Sequence, residues 1–368
     1  MIEVAGTADT RFAPVRDLFA QIVAAAVGAG ASLAVWCDGR RVIDLWGGYV
    51  DAGHRRPWDS RSLVQPYSVS KPFAAVCALK LVDAGRLLLD EPVPRYWPEF
   101  EAPATVRHVL SHRAGVVALD RPVPTGTFYQ WDGLCRLLAG QQPSWEPGTA
   151  HGESALFYGH LVGELVRRVD GRSLGQFLRQ EICAPLDLDF AVGLGPSEQA
   201  RAVDLTGLDD AFRSATSSGR PALYARATAN PPGALDARVV NSASWRAAEI
   251  PAVNGHGTAR AVADFYHALS VGRVLSAGLL AEAVAIQCQG VDRVLGSDNA
   301  WGLGFAVDGD GFGMGGLGGS YAGTSTAGGY SIAFLTGSVG THEREMALEN
   351  ALRDCLGLKP LEAEDTCV

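Results

Sequence analysis

The spacing of apolar positions along the chain separates strand-like ends from a mostly helical middle. Near the start, two apolar runs meet at Asp38-Gly39, a dipeptide that favours a two-residue hairpin turn. Apolar residues at helical spacing predict helices over 13–30, 70–85, 105–115, 159–171, 258–272 and 342–357. Strand-like segments return over 300–316 and 324–339, just before the last of these helices.

This arrangement predicts an α+β fold in which strands from both ends of the chain form one antiparallel sheet, covered by the first and last helices. We expect residues 1–100 and 290–368 to form the sheet domain. Residues 101–289 are expected to form a mostly helical region inserted between its two halves. Within that region, residues 205–240 contain Pro231-Pro232-Gly233 and are expected to be rich in loops.

Composition and charge narrow the class of protein. The chain has 368 residues, of which 47% are hydrophobic and 19% charged, enough for a large core, and its net charge is −9. An acidic chain without a basic stripe is not expected to bind nucleic acid. No apolar run has the length of a membrane span, and the apolar stretch 19–36 lacks the basic start of a signal peptide. Neither a membrane partner nor export is therefore expected.

The seven cysteines indicate a reducing, cytoplasmic environment, because they are scattered and include no C-x-x-C pair. His108 and His112 lie four residues apart on a predicted helix, but no carboxylate completes a metal motif, so we expect capping or core roles for them. The segment 311–316 matches G-x-G-x-x-G but lies between strands, with no acidic residue about 20 positions further on. We expect neither a metal nor another cofactor.

Ser68 and Lys71 form the strongest candidate site. Lysine is rare, with only Lys71, Lys80 and Lys359 among 31 basic residues, and the chain contains one S-x-x-K sequence. Residues three apart at the start of a helix share a face, so the hydroxyl and the amine can come within hydrogen-bond distance. A serine becomes a nucleophile when a base takes its proton, and a lysine can be that base if its pKa is lowered. N–H groups at the start of the helix can stabilise an oxyanion.

The sequence YSVSKPFAAVCAL, residues 67–79, resembles the active-site segment of the serine β-lactamase-related hydrolases. These include class C β-lactamases, D-alanyl-D-alanine carboxypeptidases and family VIII esterases. The resemblance covers nearly the whole chain, and segments such as VWCDGRRVIDLWGG, TVRHVLSHRAG and IPAVNGHGTARAVADFYHAL resemble the esterase branch. It implies a β-lactamase/transpeptidase-like fold, with Ser68 as the nucleophile that accepts the acyl group and Lys71 as its base.

Two further motifs of this family are altered in the chain. Glu153 stands in the loop where the family has a tyrosine that helps to shuttle protons. It could carry protons itself, pair with Lys71 and raise the pKa of the lysine, or have no role. The third motif, K-T-G in lactamases and commonly H-G-G in esterases, reads Met314-Gly315-Gly316 here. Its glycines still permit close approach of the backbone to a ligand, whereas Met314 is expected to be an apolar lining residue.

The family alignment therefore gives candidate oxyanion or substrate-binding residues: Met314, Gly316, Leu317 and Gly318. Two other residues are candidates for the same site. Tyr158 could supply the missing tyrosine hydroxyl, the alternative being that it packs within its helix. His256 could line the pocket, the alternative being that it holds a loop.

The residues leave three functions open, each with a small molecule as the substrate or ligand. The first is an acyl-enzyme catalyst that uses Ser68, namely an esterase, an amidase or a transacylase. Such an enzyme would fit a pathway of specialised-metabolite biosynthesis. The second is an enzyme that uses Lys71 and Glu153 for acid–base chemistry, such as isomerisation, elimination or cyclisation, without an acyl-serine. The third is a binding protein that has lost catalysis. β-Lactam hydrolysis is not expected, because the K-T-G lysine and the motif tyrosine are both absent. The acyl group, the acceptor and the oligomeric state stay undetermined.

Overall fold

The computed structural model describes residues 4–26 and 28–361. Eleven strands are found in this part of the chain: β1 Val4–Ala8, β2 Ala31–Cys37, β3 Arg40–Gly47, β4 Phe190–Ala191, β5 His256–Gly257, β6 Cys288–Val291, β7 Asp298–Trp301, β8 Ala306–Val307, β9 Gly311–Gly316, β10 Ser320–Ser325 and β11 Tyr330–Thr336.

The same described residues form fifteen α-helices, several of them of one or two turns. These are α1 Ala13–Ala25, α2 Lys71–Asp83, α3 Val106–Leu110, α4 Trp131–Ala139, α5 Tyr158–Asp170, α6 Leu174–Leu178, α7 Ala184–Leu186, α8 Pro196–Gln199, α9 Asp210–Ser217, α10 Ala222–Thr228, α11 Ala237–Val240, α12 Ala243–Ala247, α13 Ala259–Ser270, α14 Ala277–Ala283 and α15 Glu343–Leu356.

Nine strands form one antiparallel sheet in the order β1-β3-β2-β11-β10-β9-β8-β7-β6. The first hairpin turns at Asp38 and Gly39, which have φ of 51° and 72°, the left-handed conformation that this turn requires. The join between the two ends of the chain is the pairing of β2 with β11, in which Ala34 lies opposite Ala333. The prediction of one antiparallel sheet built from both ends is therefore confirmed.

Alternation along the central strands gives the sheet two buried faces. On one face, Leu33 of β2 and Phe334 of β11 pack in a cluster with α1 and α15, represented by Phe19 and Leu348. On the other face, neighbouring residues of the same strands join the main core, which contains α2, α5 and α13. The first and last helices therefore cover one face of the sheet, as expected.

Most of the predicted helices are confirmed, but residues 205–240 are more helical than expected. Asp209 caps α9 by accepting a hydrogen bond from the N–H of Phe212, and Asp236 caps α11 in the same way from Arg238. Pro221 directly precedes α10. Aspartate and proline mark turns as well as helix starts, so the prediction of a loop-rich region missed these three short helices. Pro231-Pro232-Gly233 does lie between helices, as expected.

The division into a sheet domain and an inserted helical region stays a prediction. Helix α13 lies within 101–289 yet packs directly on β2 and β11. One continuous core joins this sheet face to helices α2 and α5. The predicted ranges also include residues 1–3, 27 and 362–368, which lie outside the described residues.

Two expectations about location can be compared with the structure. Within the described ranges, none of the helices combines the length and the apolar character needed to cross a membrane. The six cysteines in these ranges are free thiols, and Cys367 lies outside them.

Replacing Phe73 with alanine should destabilise the fold, because this side chain joins three elements. Its ring stacks on Phe190 of β4 at 3.8 Å and on Phe265 of α13 at 3.9 Å between centroids. Removing a buried aromatic ring leaves a cavity, so Phe73→Ala should lower the free energy of unfolding by about 3–5 kcal/mol in urea denaturation. Leu88→Ala, at a side chain that is 43% exposed, is the control and should change it little. Equal losses in both variants would contradict this packing.

Candidate active site

Ser68 lies in a short helical turn, Tyr67–Ser70, that leads directly into α2. Tyr67 has a φ of 47°, an uncommon conformation for a residue with a side chain. Its ring is buried, and its hydroxyl donates a hydrogen bond to the carbonyl of Ala234 at 2.9 Å, which holds the turn in place. Ser68 itself is only half-buried and lies on the wall of a cavity.

Lys71 is fully buried, and its ammonium finds three acceptors. Nζ donates to Ser68 Oγ at 2.7 Å, to Glu153 Oε1 at 2.8 Å and to the carbonyl of Ala252 at 3.4 Å. A buried ammonium is strongly unfavourable unless it is paired and its three N–H groups are hydrogen-bonded. The S-x-x-K spacing therefore places the hydroxyl and the amine in contact, and Glu153 supplies the compensating charge.

Glu153 lies in the loop before α5, and one of its carboxylate oxygens contacts both Lys71 and Ser68. Oε1 accepts hydrogen bonds from Lys71 and, at 3.3 Å, from the hydroxyl of Ser68. Burial by itself raises the pKa of Glu153, but the charge and hydrogen bond of Lys71, with a smaller contribution from the hydrogen bond of Ser68, outweigh it. The pKa of Glu153 is consequently lowered from the ordinary carboxyl value, and the group is a carboxylate at neutral pH.

Asp292 holds the loop that carries Glu153, a role that nothing in the sequence indicated. Its carboxylate is fully buried and accepts four hydrogen bonds. Oδ2 accepts from the N–H of Glu153 at 2.9 Å and from Trp301 Nε1 at 3.2 Å. Oδ1 accepts from the N–H groups of Val294 and Leu295, both at 2.8 Å. An isolated aspartate in a turn has no distinguishing sequence pattern, so only the fold reveals this contact.

His112 holds the next residue of the same loop. Its Nδ1 accepts a hydrogen bond from the N–H of Ser154 at 3.2 Å, and its ring packs between Tyr158 and Trp301. Burial lowers the pKa of His112 to about 3, so the ring is neutral and carries its proton on Nε2. The expected core role of His112 is confirmed. His108 has the expected capping role, since its Nδ1 accepts from the N–H of Thr105 at 3.3 Å.

The end of β9 lies against the turn that carries Ser68. A Cβ atom added at Gly316 would be 2.0 Å from the carbonyl oxygen of Pro66, so only glycine permits this approach. Among the described residues, no acceptor is found for the N–H of Ser68 or of Leu317, the residue after Gly316. These two N–H groups are therefore free to bind an oxygen atom of a ligand.

The cavity beside Ser68 has a volume of about 510 Å³. Ser68 and Glu153 contribute polar groups to its wall, and three of the residues predicted from the third motif, Met314, Leu317 and Gly318, also line it. The remaining wall is mostly apolar and aromatic, with Leu156, Phe212, Tyr224, Leu235, Val253, Leu295 and Trp301. A cavity of this size accommodates a small organic molecule.

Tyr158 and His256 do not line this cavity, so the prediction that they bind substrate is corrected. Tyr158 is fully buried in α5, and its hydroxyl donates to the carbonyl of Leu110 at 3.1 Å. His256 is buried in β5, with Nδ1 2.8 Å from the carbonyl oxygen of Asn254. Both side chains have structural partners, in agreement with the alternative reading of each residue.

A larger groove of about 870 Å³ lies elsewhere, between α13 and the segment that follows α6. Several of its arginines are paired with carboxylates, as Arg41 is with Asp264 and Arg201 with Asp189. It includes none of Ser68, Lys71 and Glu153, so its size does not make it the active site. No cluster of three or more metal-binding side chains occurs within residues 4–26 and 28–361.

The geometry and the sequence comparison agree on the family. The family model described as "Beta-lactamase" matches residues 15–354, and the chain belongs to this family. The resemblance to serine β-lactamase-related hydrolases and the β-lactamase/transpeptidase-like fold are therefore confirmed.

The chain is similar to several characterised or solved relatives. "Esterase/beta-lactamase LipL" of Mycobacterium tuberculosis is 33% identical over 291 residues, which cover 73% of this chain and 65% of that protein. The crystal structure of a family VIII carboxylesterase has 35% identity and a TM-score of 0.87, covering 96% of this chain and all of the other (100%). A penicillin-binding protein homologue from Caulobacter crescentus has 32% identity and a TM-score of 0.85, with the same coverage of 96% and 100%.

Replacing Asp292 with asparagine should impair the position of Glu153. The amide has one acceptor oxygen, and its NH₂ group would face N–H donors. We expect the free energy of unfolding to fall by about 1–3 kcal/mol, the cost of leaving buried donors unpaired. We also expect kcat for an activated ester to fall more than KM changes. Asp298→Asn, at an exposed residue of β7, is the matched control. Unchanged kcat in a folded Asp292→Asn protein would show that Asp292 does not position Glu153.

Proposed function

We propose that the protein is a serine acyl-enzyme catalyst, in the first instance an esterase, that acts on a small-molecule ester. The observation that carries this proposal is the position of Ser68. Its hydroxyl lies on the cavity wall, 2.7 Å from Lys71 Nζ and 3.3 Å from Glu153 Oε1. A nucleophile within hydrogen-bond distance of a proton acceptor is the arrangement that acyl transfer needs.

The Lys71–Glu153 pair can take the proton of Ser68 by two routes. Ser68 Oγ attacks the ester carbonyl carbon and releases its proton either to Glu153 directly or to Lys71, after Lys71 has given a proton to Glu153. Both routes end with the same species, a neutral Glu153 carboxyl and a charged Lys71 ammonium. The ammonium then faces the negative charge of the tetrahedral intermediate, where it is stabilising.

The remaining steps need no proton carrier other than Glu153 and Lys71. Glu153 donates its proton to the leaving alkoxide as the C–O bond breaks, which leaves an acyl-serine and a carboxylate. Water, or another alcohol or amine in a transfer reaction, then attacks the acyl carbon and gives its proton to the pair. Ser68 leaves as the hydroxyl, and the resting state is restored.

The free N–H groups of Ser68 and Leu317 support an oxyanion site in this scheme. Backbone N–H groups that are fixed before the reaction stabilise a developing oxyanion without reorganisation. The close contact of Gly316 with Pro66 brings the end of β9 to the turn that carries Ser68. We assign these two groups to the carbonyl oxygen of the substrate.

The relatives support esterase activity more than the alternatives. Similar proteins carry the names esterase/beta-lactamase and family VIII carboxylesterase. The chain spans 65% of the length of the first of these, so its substrate and activity are proposed here on the site as well as the likeness. A cytoplasmic location is part of the same proposal, since the cysteines of the described residues are unpaired.

One observation favours a second candidate function. Lys71 and Glu153 form an ion pair at 2.8 Å beside the cavity, which is also a suitable acid–base pair for isomerisation, elimination or cyclisation. In that case Ser68 would bind the substrate but form no covalent bond. The two functions differ in their requirement for the hydroxyl of Ser68.

Ser68→Ala should abolish ester hydrolysis and leave the fold intact, because Ser68 lies on the cavity wall and the loss of one oxygen atom there creates no large internal cavity. Intact-protein mass after treatment with a fluorophosphonate should show one adduct on the parent protein and none on Ser68→Ala. Ser270→Ala, at an exposed serine, is the control and should still be labelled. Turnover that persists in folded Ser68→Ala protein would exclude the acyl-serine route and favour the second candidate.

Glu153→Gln should reduce kcat by about 10²–10⁴-fold, the usual contribution of general acid–base catalysis. The parent rate should fall on the acidic side as the carboxylate of Glu153 gains a proton. Because the pKa of Glu153 is lowered from its ordinary value of 4.5, this fall should lie below pH 4.5 and should disappear in Glu153→Gln. Glu146→Gln, an exposed residue of the same loop, is the control. Parent-like rates for Glu153→Gln across the pH range would mean that Glu153 has no catalytic role.

A further inference from the structure

The charged groups around the catalytic cavity are distributed unevenly. Among the described residues that line it, Glu153 is the one carboxylate and Arg220 the one arginine. Glu153 is already neutralised by Lys71 at 2.8 Å. Arg220 therefore leaves the cavity with one positive charge that no lining carboxylate balances.

Arg220 is placed so that its guanidinium can bind a ligand in the cavity. It lies in the exposed turn between α9 and α10, and its Nη1 donates to the carbonyl of Leu295 at 2.7 Å. Its guanidinium also lies over the ring of Tyr224, 5.6 Å from the ring centroid. The remaining N–H groups of Arg220 find no acceptor in the part of the chain that the structure describes. Two contacts thus fix the guanidinium at the rim, and part of its donor fork stays free.

Two other titratable side chains of the cavity wall, Tyr224 and His342, offer no unbalanced charge to a substrate. Burial raises the pKa of Tyr224, so its hydroxyl is neutral at neutral pH. His342, which also lines the cavity, has its Nδ1 3.2 Å from Glu345 Oε1 and therefore has a carboxylate partner of its own. Met314, at the place of the third motif, has no charged group to offer. Recognition of a charge on the substrate thus depends on Arg220.

We propose, on the basis of the esterase function above, that Arg220 selects esters that carry a carboxylate. An apolar stem would lie against the walls formed by residues such as Phe212, Leu235 and Leu295, and the carboxylate would reach the guanidinium at the rim. Planar guanidinium groups bind carboxylates through two parallel hydrogen bonds, which gives direction as well as charge recognition. The substrate class is therefore a small anionic ester.

Paired substrates of similar size test this assignment. The first pair is mono-4-nitrophenyl glutarate, which carries a carboxylate on its acyl side, and the neutral 4-nitrophenyl valerate. The second pair is 4-acetoxybenzoate, which carries a carboxylate on its alcohol side, and the neutral methyl ester of the same compound. The parent protein should give the higher kcat/KM for the anionic member of at least one pair. Added salt should reduce that preference, because the guanidinium is exposed.

Variants then assign the preference to Arg220. Arg220→Gln should lower the ratio of anionic to neutral kcat/KM about tenfold, chiefly through KM, since this contact is present in the bound substrate and in the transition state alike. Arg220→Lys should retain part of the preference. Arg226→Gln is the matched control, because Arg226 is an exposed arginine of α10 paired with Asp120 that does not line the cavity.

The outcomes separate this inference from the proposed function. Hydrolysis of the neutral esters with no preference for either anionic ester would overturn the role of Arg220 and leave the esterase function standing. A preference that survives in Arg220→Gln would also overturn it. Failure of the parent protein to hydrolyse any of the four esters or to form an adduct on Ser68 would overturn the esterase function itself.

Discussion

The active site depends on the cost of burying one ammonium group. Lys71 has no exposed surface, so its charge must be compensated within the protein. Glu153 supplies that compensation, while Ser68 and the carbonyl of Ala252 accept the other two N–H groups. The same contacts that make a buried lysine tolerable also bring the hydroxyl, the amine and the carboxylate together. Stability and chemistry therefore place the same requirements on this cluster.

The fold fixes the cluster through parts of the chain that are far apart in sequence. Ser68 and Lys71 lie at the start of α2, whereas Glu153 lies in a loop fixed by Asp292, near the beginning of the second group of strands. The end of β9 completes the site through the contact of Gly316 with Pro66. Each of these elements is anchored in the main core or in the sheet, so the reacting atoms are held by rigid surroundings.

The fold and the nucleophile could be predicted from the sequence because both have local signatures. Alternation of apolar residues and the Asp38-Gly39 turn indicated the first hairpin, and S-x-x-K with scarce lysine indicated Ser68 and Lys71. Glu153 could be placed only by its position in a family motif. Asp292 and His112 could not be assigned to the site, since the hydrogen bonds by which they hold its loop come from backbone N–H groups that any residue supplies. The three short helices within residues 205–240 were not predicted, because short helices capped by aspartate resemble turns in sequence.

The pairing of β2 with β11 has a consequence for how the chain reaches this structure. Most of the sequence separates these two strands, so the loop closed by their pairing is very long. The conformational entropy lost in closing such a loop must be offset by contacts that form at the same time, and folds rich in such distant contacts assemble slowly. During synthesis, the hairpin of β2 and β3 waits with one unpaired edge until β11 has left the ribosome. Unpaired strand edges tend to associate with other chains, so the edge of β2 is open to such association until β11 pairs with it.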